Sequence, residues 1–250
     1  MTDLQNDSRR YVAMWSGPRT ISTAMMRSFG NRADTFVCDE PLYAHYLLEH
    51  GFDHPGRDQI LEHHDADVDR VIDWLTGDIP EGRSVFYQKH MSHHLVDDVP
   101  RHWLSRVTNV FLIREPREML TSLMKVLEQP TLLDTGLPQQ TEIFQLVRQT
   151  ADIATLPTVI DARDVLENPR RLLGLLCDAV GVEFDERMLA WPAGRRETDG
   201  IWAPHWYGAV EGSTGFQPYR RKAVEVPSEL AGVLGEAEPL YRQLYQNRLR

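Results

Sequence analysis

The sequence is poor in cysteine and in long apolar runs. Its 250 residues include only two cysteines, Cys38 and Cys177, too few for a disulfide framework, so a reducing cytoplasmic compartment is expected. The longest unbroken apolar run covers residues 11–15, whereas a membrane-spanning helix needs about 20 residues. The first ten residues are polar and lack the apolar segment of a secretory signal. We therefore predict a cytoplasmic chain without a membrane span.

Positive charge is also scarce. Lysine and arginine number 27 against 37 acidic residues, which gives a formal net charge of −10. Nucleic-acid binding requires basic surface, so it is not expected. Any anion site must then depend on a few well-placed arginines or lysines. The hydrophobic fraction of 42% and the charged fraction of 26% are ordinary for a globular protein, and we predict one domain over residues 1–250.

Metal-binding patterns are missing as well. The two cysteines form no C-x-x-C pair, so a zinc site is not indicated. Residues 63–69 imitate the start of a calcium-binding loop. Arg70 and Thr76, however, stand where that loop needs Gly and Glu. This stretch is interpreted as solvated acidic chain before a helix, and no metal is predicted.

Five short apolar segments predict β-strands, and helix-like stretches separate them. The strands are predicted at 11–15, 35–38, 84–89, 109–113 and 158–160, with helices at 20–29, through 172–180 and at 228–249. This alternation predicts an α/β fold with a central, mainly parallel sheet flanked by helices and connected by right-handed crossovers. Residues 192–227 are rich in glycine, proline and aromatics, and we predict an irregular segment that covers a site.

The first predicted strand runs into a polar loop and then a helix. The loop reads Pro18-Arg19-Thr20-Ile21-Ser22-Thr23. Backbone N–H groups at a helix start carry partial positive charge and favour anions. Hydroxyls and a guanidinium would complete a cradle for phosphate or sulfate. The loop lacks the G-K-[ST] of a Walker A motif, and the alternative is an ordinary turn with a capping hydroxyl.

A second candidate follows the fourth predicted strand. Arg114 stands at the carboxyl end of that strand, Pro116 suits a first helical turn, and Ser122 lies about two turns into the helix. Parallel sheets bind ligands at this edge, and Arg114 and Ser122 could hold one phosphate from two sides. The alternative is an ion pair between Arg114 and Glu115 or Glu118.

Together the two segments resemble the sulfotransferases that use 3′-phosphoadenosine 5′-phosphosulfate (PAPS). The family loop P-[KR]-[ST]-G-[ST]-[ST], which binds the 5′-phosphosulfate, is similar to residues 18–23, and its motif R-x-P-x-x-x-x-x-S, which binds the 3′-phosphate, matches Arg114, Pro116 and Ser122. Ile21 replaces the usual Gly, so the loop must avoid a positive φ there. Arg19 replaces the commoner Lys, as in tyrosylprotein sulfotransferases. The resemblance implies direct in-line sulfuryl transfer without a metal or a covalent enzyme intermediate.

The glycine-rich third motif of the family is absent. The segment 212–216 and the basic run Arg220, Arg221 and Lys222 are proposed in its place from composition alone, because the phosphates and sulfate of PAPS need cations.

The general base has two candidates. Glu40 follows the second predicted strand, and the resemblance to tyrosylprotein sulfotransferases implies that it is the base. His90 is the alternative, because cytosolic sulfotransferases place a catalytic histidine after a comparable strand; His93 and His94 are nearby competitors. Each could instead have a structural role, Glu40 as an ion-pair partner of Arg19 and the histidines as hydrogen-bonded core or loop residues.

We therefore predict sulfuryl transfer from PAPS to a hydroxyl or amine of a small-molecule acceptor. The alternatives are a P-loop kinase-like phosphotransferase and a non-catalytic nucleotide-binding protein. The aromatic cluster at 202–207 could line the acceptor pocket, clamp the adenine or form a packed lid. A homodimer is a possible assembly.

Overall fold

The chain folds around a five-stranded, fully parallel sheet. The computed structural model describes residues 9–150, 156–221 and 225–250. The strands are β1 (Arg10–Ser16), β2 (Thr35–Asp39), β3 (Val85–Met91), β4 (Thr108–Ile113) and β5 (Thr158–Asp161). Their spatial order is β2-β3-β1-β4-β5. All five predicted strands are confirmed within one or two residues at each end, and so is the α/β class.

Helices and short 3₁₀ turns connect the strands. The α-helices are α1 (Ser22–Gly30), α2 (Tyr43–His50), α3 (Arg57–His63), α4 (Val68–Thr76), α5 (Pro116–Leu123), α6 (Leu137–Thr150), α7 (Ala162–Glu167), α8 (Pro169–Val180), α9 (Ala203–Trp206), α10 (Gly208–Glu211) and α11 (Ala231–Tyr245). The 3₁₀ turns are Pro80–Gly82, Ser92–His94, His102–Arg106, Leu133–Thr135, Glu186–Leu189 and Ser228–Leu230. Within the described ranges no helix has the length and apolar composition to cross a bilayer.

The sheet is apolar on both faces because helices cover both. Residues 12–15 of β1 are fully buried, and their side chains alternate between two core clusters. One cluster holds Met14 and Tyr87 with α1, α2 and α8. The other holds Trp15 and Phe86 with α4, α6 and α11.

The strand order places a switch point beside β1. Connections from β1 lead first toward β2 and β3 on one side, and the chain then continues to β4 and β5 on the other. In such sheets a crevice opens at the carboxyl ends of the strands where the order reverses. The loop after β1 and the start of α5 after β4 meet at that edge.

Candidate active site

The loop after β1 is held by close backbone packing. At Gly17 a Cβ atom would collide with the carbonyl oxygen of Thr135, so only glycine fits there. Gln140 of α6 donates to the carbonyl oxygens of Trp15 (2.9 Å) and Leu112 (3.1 Å), which ties the ends of β1 and β4 together. These contacts fix where the loop leaves the sheet.

The left-handed residue of this loop is Arg19, not the residue that replaces the family glycine. Ile21 has φ −100°, which confirms that it avoids a positive φ. Arg19 has φ +58°, and its Nε donates to the Oγ of Ser122 at 3.2 Å. The chain therefore turns two residues earlier than a glycine at position 21 would suggest, and the guanidinium is directed toward α5.

The first turn of α1 has hydrogen-bond donors that no side-chain cap uses. Its N-cap, Ile21, provides no side-chain acceptor. The hydroxyl of Thr20 donates to the carbonyl of Gly17 at 3.2 Å, whereas those of Ser22 and Thr23 have no hydrogen-bond partner in the described part of the chain. Free N–H groups and hydroxyls at a helix start favour an anion.

Arg114 joins the two predicted anion-binding segments. Its Nη1 donates to the carbonyl oxygen of Arg19 at 2.5 Å, although 95 positions separate them in the chain. Its Nε and Nη2 contact Glu118 at 3.3 and 3.1 Å, so the ion pair considered from the sequence is present. A guanidinium has five N–H donors, and these contacts use three.

The basic run after residue 219 lies near this ion pair. The hydroxyl of Tyr219 donates to Glu118 at 2.6 Å, and Arg163 lies over the Tyr219 ring. Arg220 and Arg221 follow directly and are exposed. Lys222 lies outside the described residues. The Tyr219–Glu118 bond thus brings the chain to the edge where Arg114 stands.

A buried ionic cluster forms at the ends of β2 and β3. We call it the Lys89 cluster, and its members are Asp39, Glu40, Lys89 and Tyr207. Asp39 and Lys89 are paired in register, and the ammonium donates to Asp39 (2.8 Å) and to Oε1 of Glu40 (2.5 Å). The Tyr207 hydroxyl lies 2.7 Å from the ammonium and the same distance from Asp39. Glu40 has φ +45° and is 9% exposed.

Burial and charge act against each other in the Lys89 cluster. Burial raises the pKa of Glu40, and the positive charge of Lys89 only partly offsets it. Burial opposes the charge on Lys89, but Asp39 and Glu40 together hold the pKa of that ammonium well above its ordinary value. The lysine is therefore charged at neutral pH, and Glu40 is a stronger base than an exposed glutamate.

His90 lies on the opposite face of β3 from Lys89. Its ring stacks on Trp15 with centroids 4.3 Å apart and also contacts Trp103. Only 1% of it is exposed, and burial lowers its pKa to about 3. The structure thus brings Arg19, Arg114 and Ser122 together, whereas His90 lies in the core.

Of the two competing histidines, His94 lies beside Glu40 and His93 packs against His94. His94 has its Nδ1 3.9 Å from Oε2 of Glu40 and stacks on the rings of Tyr43 and Tyr46. His93 contacts both Tyr46 and His94. Burial lowers the pKa of His93 to about 4 and that of His94 well below its ordinary value, so both are neutral near pH 7.

Sequence reasoning missed three members of the Lys89 cluster. Lys89 was not predicted to belong to a site, although a lysine within a buried strand needs a partner. Since side chains alternate along a strand, Lys89 and His90 must face opposite ways. Asp39, an acidic residue at the end of another predicted strand, was a candidate partner, but the register that pairs it with Lys89 is visible only in the structure. Tyr207 gave no local signal, because it reaches the cluster from 118 positions away.

Fold and site together define a parallel α/β protein with helices on both faces of its sheet and with Arg19 and Arg114 in contact at its switch point. The family model described as "Sulfotransferase domain" matches residues 10–246, so the chain belongs to the sulfotransferase family.

Two Arabidopsis thaliana proteins are similar in sequence. They are named branched-chain-amino-acid aminotransferase-like proteins 1 and 2, and are 37% and 34% identical over 93% of this chain. The chain spans 41% of the length of these relatives, so their names describe much longer proteins.

Three solved structures share the fold. The sulfotransferase domain from the curacin biosynthetic pathway has a TM-score of 0.53 at 13% identity and covers 92% of this chain and 98% of its own. The corresponding domain of the Synechococcus PCC 7002 olefin synthase gives 0.55 at 16% identity, with 91% and 94% covered. The sulfotransferase from Alicyclobacillus acidocaldarius gives 0.54 at 11%, with 97% of each covered.

Proposed function

We propose that the protein transfers a sulfuryl group from PAPS to a hydroxyl or amine of a small-molecule acceptor. The observation that carries the proposal is the convergence of two distant segments at one edge of the sheet. Arg19 contacts Ser122, and Arg114 contacts the backbone of Arg19. One ligand with phosphate groups at two ends would satisfy both segments.

The loop at 18–23 would hold the 5′-phosphosulfate. The N–H groups at the start of α1, with the hydroxyls of Ser22 and Thr23, would bind its oxygens. Arg114 has two N–H donors beyond those engaged by Glu118 and Arg19, and with Ser122 it would hold the 3′-phosphate. Arg220 and Arg221 would add positive charge to offset the carboxylate of Glu118.

Glu40 is the proposed general base. The acceptor oxygen or nitrogen forms its bond to sulfur as the bridging S–O bond breaks, and its proton passes to Oε2 of Glu40. In the described residues Oε2 accepts no hydrogen bond, whereas Oε1 is held by Lys89. Charge developing on the leaving phosphate would be stabilised by Arg19 and the loop N–H groups, an effect worth about 3–4 kcal/mol per donor in other enzymes.

His90 is a poorer candidate for the base. A pKa of about 3 makes it a weak proton acceptor, and its stacking on Trp15 directs the ring into the core. The burial of Glu40 has the opposite effect, because it raises the basicity of the carboxylate.

The test is ligand-dependent thermal stability. We expect 3′-phosphoadenosine 5′-phosphate to raise the Tm of the wild type and to raise it much less in Arg114→Ala. The matched control is Arg117→Ala, which removes an exposed arginine three positions further along. Arg117 pairs with Glu238, and its removal should leave the full shift. Stabilisation by ATP-Mg²⁺ alone would overturn the proposal in favour of a phosphotransferase.

A further inference from the structure

Three side chains outside the proposed active site converge on one point. His45 and Glu49 are one helical turn apart on α2 and therefore share a face. Asp98 approaches them from the segment between β3 and β4. One donor atom from each residue lies within 4.8 Å of the other two. None of the three takes part in the Lys89 cluster or in the anion-binding loop.

The hydrogen bonds of His45 identify which ring nitrogen is free. Nδ1 lies 3.1 Å from the carbonyl oxygen of Ala66, and since a carbonyl only accepts, Nδ1 must carry the hydrogen. Nε2 lies 3.1 Å from Oδ2 of Asp98. In the neutral ring Nε2 then presents a lone pair to a carboxylate, and these two acceptors repel. A cation between them, either a proton or a metal ion, is needed.

The distances fit a shared metal ion. Two donors that are each about 2.1 Å from one ion and about 90–110° apart are separated by about 3.0–3.4 Å, and the Nε2–Oδ2 distance falls in this range. A proton on Nε2 of His45 would need only the carboxylate of Asp98 as its partner, whereas the carboxylate of Glu49 also lies within reach. An exposed Glu49 side chain can rotate to complete the set.

The surrounding structure holds two of the three ligands in place. A metal-binding histidine usually donates its other ring N–H to a backbone carbonyl or a carboxylate, because that hydrogen bond fixes the tautomer and the ring orientation. Nδ1 of His45 makes this contact with Ala66. Asp98 lies in a short turn whose carbonyl oxygens bind the Arg101 guanidinium, with Val96 at 2.7 Å and Val99 also in contact. The orientation of the His45 ring and the backbone position of Asp98 are therefore set before any ion binds.

We infer that His45, Glu49 and Asp98 bind a divalent ion of the zinc type as a structural clamp. One imidazole with two carboxylates suits Zn²⁺ or Mn²⁺ better than Mg²⁺ or Ca²⁺, which prefer oxygen ligands alone. The two carboxylates neutralise the ion, and water fills the remaining positions because the Asp98 side chain is 52% exposed. The clamp joins α2, which begins three residues after Glu40, to the chain that follows β3.

The experiment is calorimetric titration of tag-free, EDTA-treated protein with ZnCl₂. We expect saturable binding of one equivalent in the wild type and an increase in Tm. Asp98→Asn should lower the affinity at least tenfold and abolish the Tm shift. The matched control is Asp97→Asn, since Asp97 is the exposed neighbouring carboxylate, and it should behave as the wild type.

A second variant and a metal panel complete the test. Glu49→Gln should also weaken Zn²⁺ binding, which an imidazolium–Asp98 pair would not require. Equal Zn²⁺ affinity in the wild type and Asp98→Asn, or no saturable binding at all, would overturn the inference. Binding of Mg²⁺ or Ca²⁺ in preference to Zn²⁺ would overturn the assignment of the ion. None of these readouts depends on transferase activity.

Discussion

Two of the proposed functional residues have strained backbones. Within the described ranges the non-glycine residues with positive φ are Arg19, Glu40 and Glu81. A left-handed conformation costs a residue with a side chain about 1–2 kcal/mol, and such strain is concentrated at functional sites. At Arg19 and Glu40 it directs a guanidinium and a carboxylate to the carboxyl edge of the sheet. Two of these three residues are therefore the ones that the proposed chemistry selects by an independent route.

Because Arg19 has a positive φ, two substitutions can separate the effect of its guanidinium from the effect of its backbone conformation. Arg19→Gly keeps the left-handed turn without a Cβ, whereas Arg19→Ala keeps the strain, so we expect the glycine variant to be up to about 1 kcal/mol more stable in urea unfolding. Both should lose about 100–1000-fold in kcat, because both remove the guanidinium. Turnover near the wild-type value in Arg19→Gly would mean that the guanidinium has no part in transfer.

The choice of base predicts a specific pH dependence. Glu40→Gln removes the proton acceptor and should lower kcat by about 100–10,000-fold. His90→Phe keeps an aromatic ring against Trp15 and should stay within a few-fold of the wild type. A base acts when deprotonated, so the raised pKa of Glu40 places the acid limb of kcat/KM above the ordinary glutamate value of 4.5.

That limb should disappear from the residual activity of Glu40→Gln. The measurement is kcat/KM from pH 4 to 9 for the three proteins. Full activity in Glu40→Gln would exclude the carboxylate, and unchanged binding of 3′-phosphoadenosine 5′-phosphate without any wild-type turnover would favour a non-catalytic nucleotide-binding protein.

At the scale of elements, a buried carboxylate joins β5 to two helices. Asp161 ends β5, accepts from the backbone of Arg163 at the start of α7 and from the hydroxyl of Tyr241 on α11, each at 2.8 Å. It is 2% exposed, and burial raises its pKa from 3.8 to about 6. The folded state therefore binds a proton that the unfolded state has already released near pH 5.

This linkage sets the sign of a pH effect on stability. The stabilising contribution of Asp161 is present below about pH 3.8 and is lost as the pH rises through about 6. Asp161→Asn should therefore gain stability relative to the wild type between pH 4 and pH 7, by up to about 3 kcal/mol for a shift of about two units. Urea unfolding across this range measures it. Asp67→Asn, at an exposed N-cap of α4, controls for the loss of a capping carboxylate.

The elements that could be predicted from sequence are those fixed by local pattern. β1 and β4 are short apolar runs that end at turn residues, and α1 and α8 show apolar residues at helical spacing, so each was found within a few positions. The approach of the loop at 18–23 to Arg114 and Ser122 followed from a resemblance that links two separate segments, whereas the direct contact between Arg19 and Ser122 was not predicted. The Lys89 cluster depends instead on strand register and on a contact with Tyr207 from a distant segment, and no local pattern encodes either.

At the scale of the whole molecule, the segment at 192–227 is fixed to the sheet by buried polar contacts. Asp199 pairs with Arg27 of α1 at 2.6 Å, with both side chains buried. The backbone N–H of Gly200 donates to Asp39 at 3.0 Å, and Tyr207 joins the Lys89 cluster. In the described part of this segment the helices are the short α9 and α10. These contacts hold the segment beside Glu40.

The Lys89 cluster anchors this segment, so it should also make a dominant contribution to the free energy of unfolding on this side of the molecule. Lys89→Met leaves Asp39 and Glu40 buried without a cation and should cost about 3–5 kcal/mol of unfolding free energy. Lys125→Met, at an exposed lysine, should change it by less than about 0.5 kcal/mol. Without the ammonium the carboxylates bind protons more readily, so the cost of Lys89→Met should be smaller at pH 5 than at pH 8. Urea unfolding of both variants at the two pH values tests this, and a cost equal to that of Lys125→Met, or one that grows toward acid pH, would contradict it.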